Sequence, residues 1–221
     1  MSATTGTRAT PSGRAAIRCL PATPARWPDL EGLFGAQGAC AGCWCMWPRL
    51  PAAEFRSGRG AGNRRALKRL VVRGACPGII AYRGRTPVGW CAVGPREAYG
   101  RLERSRVMVR VDDRPAWSVV CFFVARGARR SGVKTALLRA AVVHAAKRGA
   151  RIVEGYPLDT GAKRVADAFA WFGLASSFRR AGFEEAARRS QTRPVMRYLV
   201  PVGRAFRASG PARPGTTRSG G

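Results

Sequence analysis

Negative charge is what this chain has least of. Twelve Asp and Glu stand against 40 Lys and Arg in 221 residues, a formal net charge of +28. A field of that sign draws in phosphates and nucleic acid. It repels polycationic ligands unless an acidic cleft answers them, and Glu97, Glu103, Asp112 and Asp113 are the acids grouped between two central strands. Nearly all the cations are arginine, in a chain dominated by Ala, Gly, Arg and Pro, so most of the surplus reads as compositional drift. It still gives a salt-dependent affinity for polyanions. Histidine occurs once, so His-rich metal sites are ruled out. No apolar run reaches the ~20 residues of a membrane-spanning helix. The N-terminal twenty residues lack the apolar stretch of a secretory signal. Seven scattered cysteines do not make an even-numbered disulfide framework, and free thiols in a reducing cytoplasm are expected.

What is present suffices for one full domain: 46% of the residues are hydrophobic, and the length allows a sizeable core. Residues 1–15 and 203–221 carry tail-like composition, leaving a domain at 16–202. Ile17–Leu20 reads as a strand and Trp27–Phe34 as a short helix. Asn63–Val72 has helical spacing at Ala66, Leu67, Leu70 and Val71. Gly78–Tyr82 and Pro87–Val93 flank a turn at Gly84, as in a hairpin. Ala116–Val124 is a continuous apolar run rich in β-branched and aromatic residues, the pattern of a buried central strand. Val133, Ala136, Leu137, Ala140, Ala141 and His144 make one helix face, and Gly149 ends that helix. Ala150–Tyr156 is a strand, Phe169–Arg180 a helix, and Phe183–Ala187 and Val195–Val200 two last strands. The order predicts a mixed α/β domain.

The most informative place is Val119–Leu138, VVCFFVARGARRSGVKTALL. A buried strand runs into a Gly- and Arg-rich turn, and the turn opens a helix. Unsatisfied N–H groups and the positive dipole end make a helix N-terminus an anion site. Arg126, Arg129 and Arg130 add charge. A phosphate- or pyrophosphate-binding turn follows.

This turn resembles the acyl-CoA motif of the GNAT superfamily of N-acyltransferases, Arg/Gln-x-x-Gly-x-Gly/Ala, with Arg129, Gly132 and Lys134 at its three specified positions. Lys134 departs from the usual Gly or Ala, and Arg130 stands where one bacterial branch has Gly. The segments GCWCMW (42–47), ARIVEGYP (150–157), FRRAGFEEAARRS (178–190) and RPVMRYLV (193–200) are similar to that branch in order and spacing. The resemblance covers roughly residues 16–200. It implies a mixed, mostly antiparallel sheet flanked by helices, with a splayed strand pair at the CoA site. It also implies transfer of an acyl group, acetyl in the first instance, from acetyl-CoA to an amine by direct attack. The backbone of Phe122 and Val124 would pair with the pantetheine arm. The turn from Arg129 through Arg130, Ser131, Gly132 and Val133 to Lys134 would hold the pyrophosphate. The Tyr that often protonates the leaving thiolate is replaced by Phe178. Tyr156 is the substitute acid, ahead of Cys121 and Ser176. Glu154 is the candidate base, desolvated by apolar neighbours; the alternative is an ion pair with an arginine. Trp44 and Trp47 read either as an apolar lid over the acceptor or as a satellite core.

Other features have plainer readings. His144 lies on the apolar helix stripe and reads as a core histidine. Cys40, Cys43 and Cys45 could form a zinc site with Cys76, but the second C-x-x-C of a ribbon is missing, and no metal is expected. The expected partner is a small-molecule or peptide amine that is neutral, zwitterionic or anionic; the family also often forms homodimers. A second reading, resting on the charge, Lys134 and Phe178, is a GNAT-like protein that binds RNA or uses aminoacyl-tRNA without CoA.

Overall fold

The computed structural model of the chain describes residues 16–161 and 171–201. Both expected tails, and the start of the helix expected from Phe169, lie outside these residues. Seven strands form one sheet: β1 (Ile17–Pro21), β2 (Gly78–Arg83), β3 (Thr86–Pro95), β4 (Trp117–Val124), β5 (Ile152–Gly155), β6 (Glu184–Arg188) and β7 (Pro194–Leu199). Their order is β1-β2-β3-β4-β5-β7-β6. Every neighbouring pair is antiparallel except β4 and β5. A parallel pair needs a crossover, and the helix α5 (Val133–Ala146) supplies it. Among the described residues the remaining α-helices are α1 (Trp27–Phe34), α2 (Ala52–Ser57), α3 (Ala61–Val72), α4 (Gly100–Glu103) and α6 (Ala175–Arg180). This is the mixed, mostly antiparallel sheet flanked by helices that was expected.

Alternation along β2 and β3 gives the sheet two apolar faces. Ile79, Ala81, Cys91 and Val93 pack with Val133, Leu137, Leu138 and Ala141 of α5. Ile80, Tyr82, Trp90 and Ala92 pack with Leu30 and Phe34 of α1 and with Trp44 and Met46 of the following segment. Among the described residues, no helix is long and apolar enough to cross a membrane.

The sheet opens at one place. β4 and β5 pair only at Trp117↔Val153, Ser118↔Glu154 and Val119↔Gly155, whereas β4 stays paired with β3 as far as Val124. Beyond Val119 the two strands part, which is the expected splay. One expectation fails beside it. Trp171–Leu174 is not helical, and α6 begins only at Ala175. Gly173 has φ of +88°, outside the helical region. The carbonyls of Trp171 and Gly173 accept from Phe122 and Leu158 instead of from a following turn. α2 and α4 were missed because pieces of six and four residues are too short to display a period.

Candidate active site

β4 delivers the chain to the turn, and the turn's backbone explains its glycine. After one 3-10 turn at Arg126–Ala128, Arg130 has φ of +57° and Gly132 +84°. Left-handed geometry is readily adopted by glycine and costly for other L-residues. Gly132 caps α5, whose own ladder begins with the Ala136 N–H donating to the Gly132 carbonyl at 3.0 Å. The amides just ahead of Ala136 lie at the positive end of the helix. Arg126, Arg129 and Arg130 are exposed around them, and the space in front of Gly132 is open. Ser131 Oγ donates to the Ala128 carbonyl at 2.7 Å and accepts from Arg83 Nη2 at 2.8 Å, which ties the turn to β2. Val133 is buried beneath the turn, and Lys134 is half-buried beside it. Amides, dipole and guanidinium groups together suit a pyrophosphate.

Phe122 and Val124 lie on the stretch of β4 that runs past the splay. Both offer fewer groups than the sequence suggested. The Phe122 N–H donates to the Trp171 carbonyl at 2.7 Å, and the Val124 carbonyl accepts from Arg129 Nε at 3.3 Å.

Glu154 and Tyr156 come together, but inside an ion network. Glu154 Oε1 accepts from Arg197 Nε at 2.8 Å. Its Oε2 accepts from Tyr156 Oη at 2.9 Å and from Arg96 Nη1 at 3.4 Å. Arg197 continues to Asp112 at 2.5 and 2.9 Å. Arg96 continues to Glu103 at 3.1 Å and to the Met108 carbonyl at 2.8 Å. Tyr156 Oη also accepts from Arg96 Nη1 at 2.5 Å and lies 2.9 Å from Ser118 Oγ. Glu154 is 1% exposed and Tyr156 is fully buried. The expectation of an apolar-flanked base gives way to the ion pair, because β5 and β7 place Arg197 directly opposite Glu154. Burial, then the Glu154 carboxylate, push the Tyr156 phenol well above its ordinary range. A more weakly acidic phenol is a poorer proton donor.

The remaining candidates are dispersed. Phe178 is fully buried, its ring pressed onto the bare Cα of Gly155 and edge-on to Phe122 at 6.1 Å. Cys121 Sγ lies 3.2 Å from Cys45 Sγ in the core, and Ser176 is exposed on α6. Trp44 is a core residue rather than a lid: it is 5% exposed, stacked on Trp27 at 6.0 Å and edge-on to Phe34 at 5.4 Å. Trp47 is half-buried and lies edge-on to Trp171 at 4.8 Å. His144 is buried, with Nδ1 3.0 Å from Arg148. Glu97, Glu103 and Asp112 each pair with an arginine. Among the described residues, no group of three or more His, Cys, Asp or Glu could hold a metal. Sequence reasoning did not single out Arg96, Arg197 or Ser118. Ser118 and Arg197 are set by register with Glu154 across β4 and β7 and Arg96 by the turn that follows β3, and a lone sequence carries neither signal.

A model of the acetyltransferase (GNAT) family matches residues 40–169. Among solved structures the chain is similar to a GNAT-family acetyltransferase from Streptococcus agalactiae, with 10% identity over 84% of this chain and 96% of that one and a TM-score of 0.50. It is also similar to the PaiA N-acetyltransferase of Thermoplasma acidophilum in complex with coenzyme A (12% identity, 84% and 99% covered, TM-score 0.48). A ribosomal-protein-alanine N-acetyltransferase from Brucella melitensis is another (18% identity, 84% and 99% covered, TM-score 0.47). At 10% identity the likeness to the Streptococcus agalactiae structure is one of fold alone. No curated protein matches the chain.

Proposed function

We propose, from the premise that the chain belongs to the GNAT acetyltransferase family, that it moves an acyl group, in the first instance acetyl, from acyl-CoA to an amine. One observation carries this reading. A left-handed, arginine-rimmed turn opens α5 where β4 ends, beside the splay of β4 from β5. The turn from Arg129 to Lys134 would take the pyrophosphate. The β4 edge at Phe122 and Val124 would take the pantetheine arm and aim the thioester at the vertex of the splay. A neutral amine then adds to the thioester carbonyl carbon. The C–S bond breaks, the acyl group stays on nitrogen, and the CoA thiolate leaves and is protonated. The amine's proton passes to water.

Glu154 and Tyr156 are assigned as positioning residues in this reading, since their polar atoms are engaged with Arg96, Arg197 and Ser118. The crowding of Phe122 and Phe178 near Gly155 favours a short acyl group. The acceptor is a small-molecule or peptide amine, neutral, zwitterionic or anionic overall, because Glu97, Glu103 and Asp112 are neutralised by arginine. A cytoplasmic setting suits the thiols, and a homodimer suits the family.

Calorimetry of acetyl-CoA binding in moderate salt, with adenosine 3′,5′-bisphosphate as the polyanion control, tests the donor. Micromolar, salt-tolerant binding that needs the pantetheine arm supports it. The +28 charge supports a second reading, RNA- or aminoacyl-tRNA-dependent chemistry. It takes over if CoA binds no better than the control.

A further inference from the structure

The parting of β4 and β5 leaves an edge on each strand, and the chain fills both with a piece of itself. Phe122 stands three residues past the last β4–β5 pair, and its N–H donates to the Trp171 carbonyl at 2.7 Å. On the other side, Leu158, just beyond β5, donates to the Gly173 carbonyl at 2.9 Å and accepts from the Ala175 N–H at 2.8 Å. Leu158 and Leu174 form an isolated parallel bridge. Residues 171–174 therefore lie between β4 and the segment that leaves β5, as a turn at 171–172 followed by the bridge at Leu174, hydrogen-bonded to both sides.

Side chains latch it there. Trp171 lies edge-on to Trp47 at 4.8 Å. Phe172 is 2% exposed and is edge-on to Tyr156 at 6.3 Å, with the Arg193 guanidinium 4.8 Å from its ring. Gly173 closes the fit: a Cβ there would meet Phe178 Cε2 at 2.9 Å and Phe122 Cε2 at 3.1 Å.

From this we infer that residues 171–174 are a strap that closes the donor cleft and must withdraw before the pantetheine arm can seat. The inference rests on the acyl-CoA reading. The same Phe122 N–H cannot serve the strap and the arm together. A donor then binds only the strap-out fraction, and its apparent dissociation constant rises as that fraction falls. Two backbone hydrogen bonds, the half-buried Trp171 and the buried Phe172 ring hold the strap, so its withdrawal is a local opening that must give up the Phe172 contacts, which keeps the strap-out fraction small. The pyrophosphate turn lies outside the strap's contacts, so a ligand without the arm should not sense it.

The test measures CoA and adenosine 3′,5′-bisphosphate binding by calorimetry in the wild-type protein, Trp171→Ala and Trp47→Ala. Exchange of the Phe122 amide is followed by mass spectrometry in all three. Either variant suffices if the other fails to fold. The expected result is a three- to tenfold gain in CoA affinity, an unchanged affinity for the bisphosphate, and faster Phe122 exchange. Equal CoA affinity in a folded variant with faster Phe122 exchange overturns the strap and leaves the donor reading standing. CoA binding no better than the bisphosphate in all three proteins overturns the donor reading itself, and the gate with it.

Discussion

Tyr156 donates its hydroxyl to Glu154 at 2.9 Å, and neither side chain is more than 1% exposed. A pair so enclosed, with Arg96 and Arg197 on the same carboxylate, ties β5 to β7 and to the segment before α4. Glu154→Gln removes the charge that balances two buried guanidinium groups. It should cost about 3 kcal/mol of stability, read from urea unfolding. Tyr156→Phe should cost about 1–2 kcal/mol by leaving Ser118 and Glu154 short of a partner. Its pH–rate profile should keep the wild-type alkaline limb. Loss of that limb would restore Tyr156 as the proton donor.

The turn offers a test of donor binding that does not depend on the proton carriers. Gly132→Trp places a large side chain at φ of +84° in front of the α5 amides. Strain of about 1–2 kcal/mol and loss of the open space should abolish CoA binding while the fold survives, checked by circular dichroism and calorimetry. Unchanged affinity would move the pyrophosphate elsewhere. Arg130→Gln should weaken CoA and the bisphosphate by the same factor, more at low salt than at high.

Burial, then the nearby Arg148, lower the His144 imidazole from 6.5 to about 4. As pH falls, the unfolded chain takes up this proton before the folded one does. The stability contributed by neutral His144 is therefore complete above pH 6.5 and is lost as pH falls from there through 4. The urea midpoint should drop between pH 7 and pH 5, and His144→Phe should flatten that slope. Equal slopes would assign the acid sensitivity to other groups.

Trp44→Ala should destabilise the protein by about 3–5 kcal/mol, because it empties a site packed by Trp27 and Phe34. Thermal melting reads the loss. KM for an amine acceptor should stay within twofold at temperatures where the variant is folded; a large rise in KM would return Trp44 to the acceptor site.

Much of the fold was legible locally. The run Trp117–Val124 is apolar on both faces, so it had to be central, and its end at Ala125 put the turn at a strand's end. α5 announced itself by a stripe that repeats over three turns. The turn's place followed from Gly132 and its arginines, since the break between a strand and a helix is local. The helix expected from Phe169 failed at Trp171–Leu174 for the opposite reason. Those residues bond to Phe122 and Leu158, partners distant in sequence whose claim on the backbone no period records. Trp44 and Trp47, three residues apart, looked equivalent until packing sent one into the core and left the other against Trp171.

By itself the sequence determined the α/β class, the order of its main strands and helices, and a Gly- and Arg-rich turn at the start of α5. Hydrophobic period, turn residues and the helix dipole act over a few residues and can be read there. Tertiary structure alone decided that Glu154 is answered by Arg96 and Arg197, and that Phe122 is answered by Trp171. Both outcomes depend on which distant turns and strand edges meet and in what register. A buried charge or an open backbone donor takes whichever partner that register brings, because leaving it unsatisfied costs more than any local preference can repay.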